Sequence, residues 1–259
     1  MNIEDPISSE PLNLSPDSSD TELWSLYADV SQRLQVSSAS IKAAITSLLD
    51  NSIIWDRSAQ REFMQTIDKS IDHISGMMAA MTLAMQSEGS ILRLGLEPSS
   101  IPEILFRAVD GLEKSAPGLA VTLALPGEGR LALVDYDYLR MALKLLFEAL
   151  ISAGNAPPTT LRIRAEQTAA DWQIHVEGDF ARAATVLIAW LGSETTQPLP
   201  LASGAPGGIP AEARLKAFTA ARLLRQQRIA LSVPEGATPI SFTLTIPHSG
   251  ERWKSAASS

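Results

Sequence analysis

The sequence has 259 residues, a formal net charge of −8 and no cysteine. Its hydrophobic content of 45% is sufficient for one large or two modest folded cores. The acidic balance argues against a broad nucleic-acid-binding surface, and the lack of cysteine excludes disulfides, thiolate catalysis and cysteine metal sites.

The first 20 residues are rich in Ser, Pro, Asp and Glu, and we expect residues 1–20 to form a disordered tail. They are not basic and no apolar run follows them, so they predict neither a secretory signal nor a transit peptide. The longest apolar run, Ala184–Gly192, is much shorter than the roughly 20 residues that a membrane span needs. We therefore expect a cytoplasmic protein with no membrane span.

Residues 21–89 are predicted to form a helical hairpin. Apolar residues recur at spacings of three, four and seven in two runs, which are Leu23, Tyr27, Val30, Leu34, Ile41, Ile45 and Leu48, then Phe63, Ile67, Ile71, Ile74, Met78, Met81 and Met85. A turn is predicted around residues 51–57. Because one hairpin has no closed core, we expect a homodimer that forms a four-helix bundle. The methionine-rich run is interpreted as core, and its alternative is a promiscuous binding face.

Residues 90–248 alternate between strand and helix patterns and predict an α+β domain, which a flexible tail of residues 249–259 follows. Strands are predicted at 91–98, 119–126, 131–136, 161–167, 171–178, 228–235 and 239–247. Helices are predicted from a cap at Ser99 or Ser100 to about Leu112, and over 137–153, 180–192 and 212–227. The last two strands are expected to form a hairpin around Gly236.

The first predicted helix contains the segment DVSQRLQVSSASIKAAITSLLD, from Asp29 to Asp50. It resembles the phosphoacceptor helix of sensor histidine kinases, which reads roughly [FL]-x-A-D-V-S-H-E-L-R-T-P-L-T-S-I-K-G. The positions kept here are Leu26, Ala28, Asp29, Val30, Ser31, Leu34, Ser40, Ile41 and Lys42. Gln32 stands at the place of the phosphoacceptor histidine. An amide cannot replace imidazole as a nucleophile, so the resemblance implies a docking and dimerisation helix without its reactive group.

The α+β region is similar to the ATP-binding catalytic domain of the same kinases, a mixed sheet covered on one face by helices. In the family, two asparagines of one helix hold Mg²⁺ and the phosphates of ATP. Their positions carry Leu145 and Ala149 here, and neither offers the oxygen ligand that a hard cation requires. Lys144 and Glu148 flank these positions and are interpreted as a solvated helix face.

Two further family motifs of the ATP site are changed. Gly178 takes the place of the aspartate that recognises adenine, unless Glu177 or Asp179 compensates by a register shift. The glycine-rich phosphate lid falls on residues 211–218, which contain no glycine. The glycine-rich segment 203–208 is either a displaced remnant of that lid or a flexible loop. The resemblance to the family, from Leu23 to Pro247, therefore implies no cofactor and no metal.

Three histidines were considered as substitute phosphoacceptors. His73 in the second helix is interpreted as a solvated residue, because neither Ile71 nor Ile74 beside it is acidic. His175 alternates within a strand, and His248 lies near the end of the chain. Neither has a partner that the sequence suggests, and no metal-binding or hydrolase motif can be assembled from them.

The leading hypothesis is a catalytically silent, histidine-kinase-like dimer that acts as an adaptor or regulator in two-component signal transduction. Its expected partner is a response regulator or a partner histidine kinase. The candidate docking residues are Asp29, Gln32, Arg33, Gln35 and Ser38, and the alternative for them is exposed helix surface with no partner. A second hypothesis is a divergent active kinase that binds ATP and Mg²⁺. A third is a phosphatase-type regulator in which Gln32 or Gln35 orients water.

Overall fold

A long helical hairpin begins the structure. The structure is a computed structural model that describes residues 18–50, 55–88, 92–127, 129–154, 156, 158–192, 208–234 and 240–247. Helix α1 spans Ser18–Leu49 and helix α2 spans Arg57–Glu88, with 32 residues each. Both are therefore about 48 Å long at 1.5 Å per residue. Residues 1–17 of the predicted disordered tail lie outside the described residues.

The turn of the hairpin is held by aromatic and capping contacts. The indole Nε1 of Trp55 donates a hydrogen bond to the carbonyl oxygen of Ser47 at 3.0 Å. Its ring packs edge-on against Phe63, with 4.9 Å between centroids. The carboxylate of Asp56 accepts a 2.7 Å hydrogen bond from the Ala59 amide, which satisfies one free donor at the start of α2.

The hairpin buries only part of its predicted apolar stripe within one chain. In α2, Phe63, Ile67, Ile74 and Met81 are half-buried, while Ile71, Met78 and Met85 are exposed. Met77, which the stripe did not include, is fully buried. The interpretation of the methionine run as core is therefore right for Met77 and Met81, and Met78 and Met85 are left on the surface of the single chain.

The second part of the chain is a mixed α+β domain. Its strands are β1 Glu97–Ser99, β2 Ala120–Ala124, β3 Ala132–Val134, β4 Thr160–Gln167, β5 Asp171–Gly178, β6 Ala230–Ser232 and β7 Ile240–Pro247. Its helices are α3 Ile101–Val109, α4 Leu112–Ser115, α5 Tyr136–Ser152, α6 Arg182–Gly192 and α7 Ala211–Gln226. Ser100 caps α3 through its side-chain oxygen, as predicted for Ser99 or Ser100, and Asp135 caps α5 in the same way.

The main sheet has the order β2-β4-β5-β7-β6, in which β2 and β4 are parallel and the other neighbours are antiparallel. Strand β4 alternates between exposed and buried residues, and β5 follows the same period of two. Its buried residues, such as Ile163 and Trp172, belong to one hydrophobic core with residues of α5, α6 and α7. The other face carries exposed Arg162 and Arg164. The predicted mixed sheet with helices on one face is confirmed.

Two details differ from the sequence prediction. Of the described residues of the predicted strand 91–98, only Glu97 and Pro98 belong to a strand, β1, because its partner is the three-residue strand β3. The helix predicted to continue to about Leu112 ends at Val109 instead. Gly111 has a φ of +84°, a left-handed conformation that glycine adopts without strain, and the short helix α4 starts after it.

Helix α7 joins the two parts of the fold and is buried on almost every side. Five alanines, at positions 211, 213, 217, 220 and 221, let neighbouring backbones approach it closely. Three residues of α2 meet three residues of α7 at a constant offset of 139 positions. His73 contacts Glu212, the carbonyl oxygen of Ala80 accepts from Thr219, and that of Ser87 accepts from Gln226. Equal seven-residue steps along both helices mean that α2 and α7 run parallel and in register.

An ion pair between Arg214 of α7 and Asp29 of α1 closes the same interface. Replacing Asp29 by alanine leaves the guanidinium of Arg214, whose side chain is 4% exposed, without this counter-charge. We expect Asp29→Ala to lower the free energy of unfolding by on the order of 2–3 kcal/mol, somewhat below the range for fully buried pairs. Chemical denaturation measures the change.

The matched control for this variant is Asp137→Ala, because Asp137 pairs with Arg140 but is 81% exposed. It is expected to cost at most about 1 kcal/mol. Equal losses for Asp29→Ala and Asp137→Ala would show that the ion pair does not fasten α7 to the hairpin.

Candidate functional site

The candidate docking residues of α1 lie along an open groove of the hairpin. This hairpin groove has a volume of about 350 Å³ and is lined by Asp29, Gln32, Arg33, Val36, Ser37 and His73. Gln35 and Ser38 are exposed on the same helix but do not line it. The structure therefore brings three of the five predicted residues together. The carboxylate of Asp29 is paired with Arg214, and its side chain is 28% exposed.

His73 was interpreted as a solvated residue, and this is wrong. Its side chain is 32% exposed, and its Nδ1 lies 3.2 Å from Oε2 of Glu212, whose side chain is 19% exposed. The acidic partner was sought beside His73 in α2, whereas it comes from the first turn of α7. The pairing follows from the parallel register of the two helices and places a histidine–glutamate pair at the hairpin groove.

Glu212 belongs to a short charged network between α5 and α7. Lys216 Nζ lies 2.7 Å from Oε1 of Glu212 and 2.9 Å from Oε2 of Glu148. Burial alone lowers the pKa of Lys216, but the two carboxylates outweigh it and raise that pKa above its ordinary value. Glu148, with a side chain 17% exposed, is thus part of a buried contact, which corrects its interpretation as a solvated helix face.

The positions of the family's magnesium-binding asparagines are packed into the core. Leu145 is 6% exposed and Ala149 is fully buried, both in the apolar face of α5. The same core contains the alanines of α7 and Leu215. This face of α5 therefore presents hydrocarbon to α7.

At Gly178, the position of the family's adenine-binding aspartate, there is no room for a side chain. A Cβ atom there would lie 2.8 Å from the ring of Phe180 and 2.9 Å from the carbonyl oxygen of Thr160. Real Cβ atoms essentially never come so close to such neighbours. Phe180 is 7% exposed, and its ring occupies the space beside Gly178.

Asp179 follows Gly178 and is bound to the start of β4. Its carboxylate accepts hydrogen bonds from the amides and hydroxyls of Thr159 and Thr160 at the start of β4. These bonds, led by that from the Thr159 hydroxyl, hold the pKa of Asp179 well below its ordinary value against the opposing effect of burial. Asp179 is a clamp between two chain segments.

The described ranges contain no group of three or more histidine, cysteine or acidic residues able to hold a metal ion. Within the same ranges, no helix has the length and apolar character that a membrane crossing requires. His175 has its Nδ1 3.0 Å from the Thr243 hydroxyl and its Nε2 3.9 Å from Glu166. His248 and residues 203–207 of the glycine-rich segment lie outside the described residues.

Comparison with solved structures identifies the fold. The chain is similar to the histidine kinase AdeS of Acinetobacter baumannii, with 14% identity, 84% of this chain and 98% of that one covered, and a TM-score of 0.56. It is also similar to the histidine kinase ThkA in complex with the response regulator TrrA, with 13% identity and a TM-score of 0.55. This match covers 90% of the present chain and 64% of ThkA. Full-length ShkA in complex with AMPPNP aligns at 14% identity with a TM-score of 0.52, and the match covers 87% of the present chain and 46% of ShkA.

No protein-family model and no curated protein matches the sequence. At these identities the similarity concerns the fold. The chain has the fold of a histidine kinase, a helical hairpin followed by an ATPase-like α+β domain. The resemblance that the sequence carries in its first helix is thereby confirmed at the level of architecture.

The site contains two residues whose role sequence reasoning missed, His73 and Glu212. A usable signal was present, because His73, Ala80 and Ser87 recur at seven-residue spacing on the face of α2 that packs on α7. Glu212, Thr219 and Gln226 repeat the same spacing in α7. Matched heptad positions of small or polar residues indicate helices that pack closely together.

The Asp179 clamp gives a pH-dependent prediction. Because its pKa is depressed in the folded protein, its contribution to stability is fully present above the ordinary pKa of 3.8 and is lost as the pH falls through the folded-state value. We expect Asp179→Ala to cost about 1 kcal/mol at pH 7, a small figure because the group is solvent-screened. Urea denaturation at several pH values should show the deficit shrinking below pH 3.8.

Asp171→Ala, at the opposite end of β5, is the matched control and should cost less at pH 7. A deficit for Asp179→Ala that stays constant down to low pH would rule out the clamp as its cause.

Proposed function

We propose that the protein is a catalytically silent, histidine-kinase-like regulator of two-component signalling that works by binding rather than by using ATP. The observation that carries this proposal is the packing of the former nucleotide site. Leu145 and Ala149 are core residues and Gly178 has no space for an aspartate, so the groups that hold Mg-ATP in the family have been replaced by hydrocarbon. Gln32 lacks nucleophilic chemistry as well.

The proposed assembly is a homodimer through the hairpin. Met64, Ile71, Met78 and Met85 are between 50% and 61% exposed and are spaced seven residues apart along α2. This spacing forms one apolar line of about 32 Å at 1.5 Å per residue. A line of that kind matches a helix with the same repeat, which a second copy of this chain provides. Ile45 and Leu49 of α1 are also exposed and extend the apolar surface near the turn.

The dimer is tested by charging this line. Ile71→Glu combined with Met78→Glu is expected to convert the dimer to a monomer, because four carboxylates would be buried across the symmetric interface. Light scattering with size-exclusion chromatography measures the mass. Ala79→Glu combined with Gln86→Glu adds the same charge at exposed positions away from the line and should leave the dimer intact. A wild-type monomer, or a dimer that survives the first pair of changes, would refute the proposed interface.

The proposed partner is a response regulator or a partner histidine kinase that docks on α1 around the hairpin groove. ThkA, which has this fold, was solved in complex with a response regulator. That complex motivates the proposal of a similar partner for this protein. Gln32 and Arg33 are exposed beside the groove and Gln35 and Ser38 continue the surface. Asp29 contributes indirectly, because it fixes α7 at the edge of the groove.

Docking is tested with immobilised protein and the receiver domains and histidine kinases of the same genome. We expect Arg33→Glu to weaken capture of the bound partner at least about tenfold, or roughly 1.4 kcal/mol. Arg162→Glu, an identical charge change on the open face of the sheet, is the matched control. Equal binding by the two variants would move the docking site elsewhere, and no retained partner at all would contradict the adaptor function.

A further inference from the structure

The hairpin groove contains a second feature besides the surface around Gln32, and it has its own chemistry. His73 lines the groove and pairs through Nδ1 with Glu212. A carboxylate only accepts hydrogen bonds, so Nδ1 must carry the proton of the neutral ring. Nε2 then holds the lone pair, and among the described residues it has no hydrogen-bond partner. This is the arrangement of an oriented nitrogen nucleophile.

The carboxylate that orients His73 is itself fixed. Lys216 holds Oε1 of Glu212 at 2.7 Å, and Oε2 remains for the histidine. The parallel register of α2 and α7 places the pair at the first of three matched contacts, ahead of those at Ala80 and Ser87. His175 lacks this arrangement, since its Nδ1 faces a threonine hydroxyl, which can donate or accept and does not select one tautomer.

The charges around the pair suit a phosphoryl group. Arg33 lines the same groove. Glu212 is the second residue of α7, a 16-residue helix whose N-terminal amides favour anions. The carboxylate of Asp29, which would repel a phosphate, is paired with Arg214. The groove thus offers a nucleophile and a nearby cation, and the first turn of α7 adjoins it through the contact of Glu212 with His73.

We propose that His73 is a phosphoacceptor that takes its phosphoryl group from an acyl phosphate without ATP. The Nε2 lone pair attacks phosphorus, the bond between phosphorus and the carboxyl oxygen breaks, and the carboxylate leaves with that electron pair. The ring becomes a phosphorylated imidazolium that keeps its proton on Nδ1, and the charge of Glu212 stabilises it. Glu212 acts as a positioning residue, because it touches the ring and not the phosphoryl group.

The acyl phosphate has two possible sources, a small acyl phosphate or the aspartyl phosphate of a receiver domain. The second source rests on the proposed function, since it requires a docked receiver. If His73 is not phosphorylated, the immobilised protein would still capture its partner. The phosphoacceptor proposal and the docking proposal can therefore fail separately.

The test incubates the full chain with [³²P]acetyl phosphate and, in a second arm, with a captured receiver domain phosphorylated on its aspartate. We expect acid-labile, alkali-stable label that mass spectrometry locates on His73. His73→Gln should lose at least 90% of that label, whereas His175→Gln, the matched control, should keep it. Label in the first arm alone identifies the small acyl phosphate as the source, and label in the second identifies the receiver.

Glu212→Gln tests the positioning role. It should slow labelling at least tenfold, and the ¹⁵N shifts of the His73 ring should change from one tautomer to a mixture, which a merely structural effect would not produce. Circular dichroism and thermal denaturation verify that each variant folds. Absence of label in both arms, label on another residue, or equal label in His73→Gln would overturn the proposal.

Discussion

The parallel packing of α7 against α2 is the constraint on which the rest of the structure depends. Three contacts at one constant offset of 139 residues fix the register of the two helices, and the pair of Arg214 with Asp29 adds the contact to α1. The opposite side of α7 packs on α5 and is linked to it by Lys216 and Glu148. Helix α7 therefore sets the position of the α+β domain relative to the hairpin. Movement of the domain away from the hairpin would expose the buried groups of these contacts to water.

The same arrangement supports the proposal of a protein that does not use ATP. Leu145 and Ala149 stand where the family resemblance places the magnesium ligands, and both belong with Phe180 to the hydrophobic core. Burial of such side chains stabilises the domain by roughly 1.5–3 kcal/mol for each large one. In the proposed regulator, which does not use nucleotide, this stabilisation has no functional cost, and Gln32 fits the same proposal.

The sequence predicted most of the architecture because the relevant signals are local. Period-two burial in β4 and β5, the cap at Ser100 and the heptad pattern of α2 each follow from neighbouring residues. The strand predicted at 91–98 was too long because strand length depends on a distant partner, the short β3. His73 was misjudged for the same reason, since its acidic neighbour is 139 positions away and only the helix register brings it close. Helices and strands could be predicted from local patterns, whereas the contacts between them that form the site could not.

The proposal that the protein does not use nucleotide is tested most directly by the change in melting temperature of the full chain with Mg-ATP. We expect a change below about 1 °C at millimolar Mg-ATP, since a ligand that does not bind adds no stability. A nucleotide present at 100 times its Kd would add about 2.7 kcal/mol, which corresponds to roughly 5–10 °C for a chain of this size. A concentration-dependent rise of that order would contradict the account.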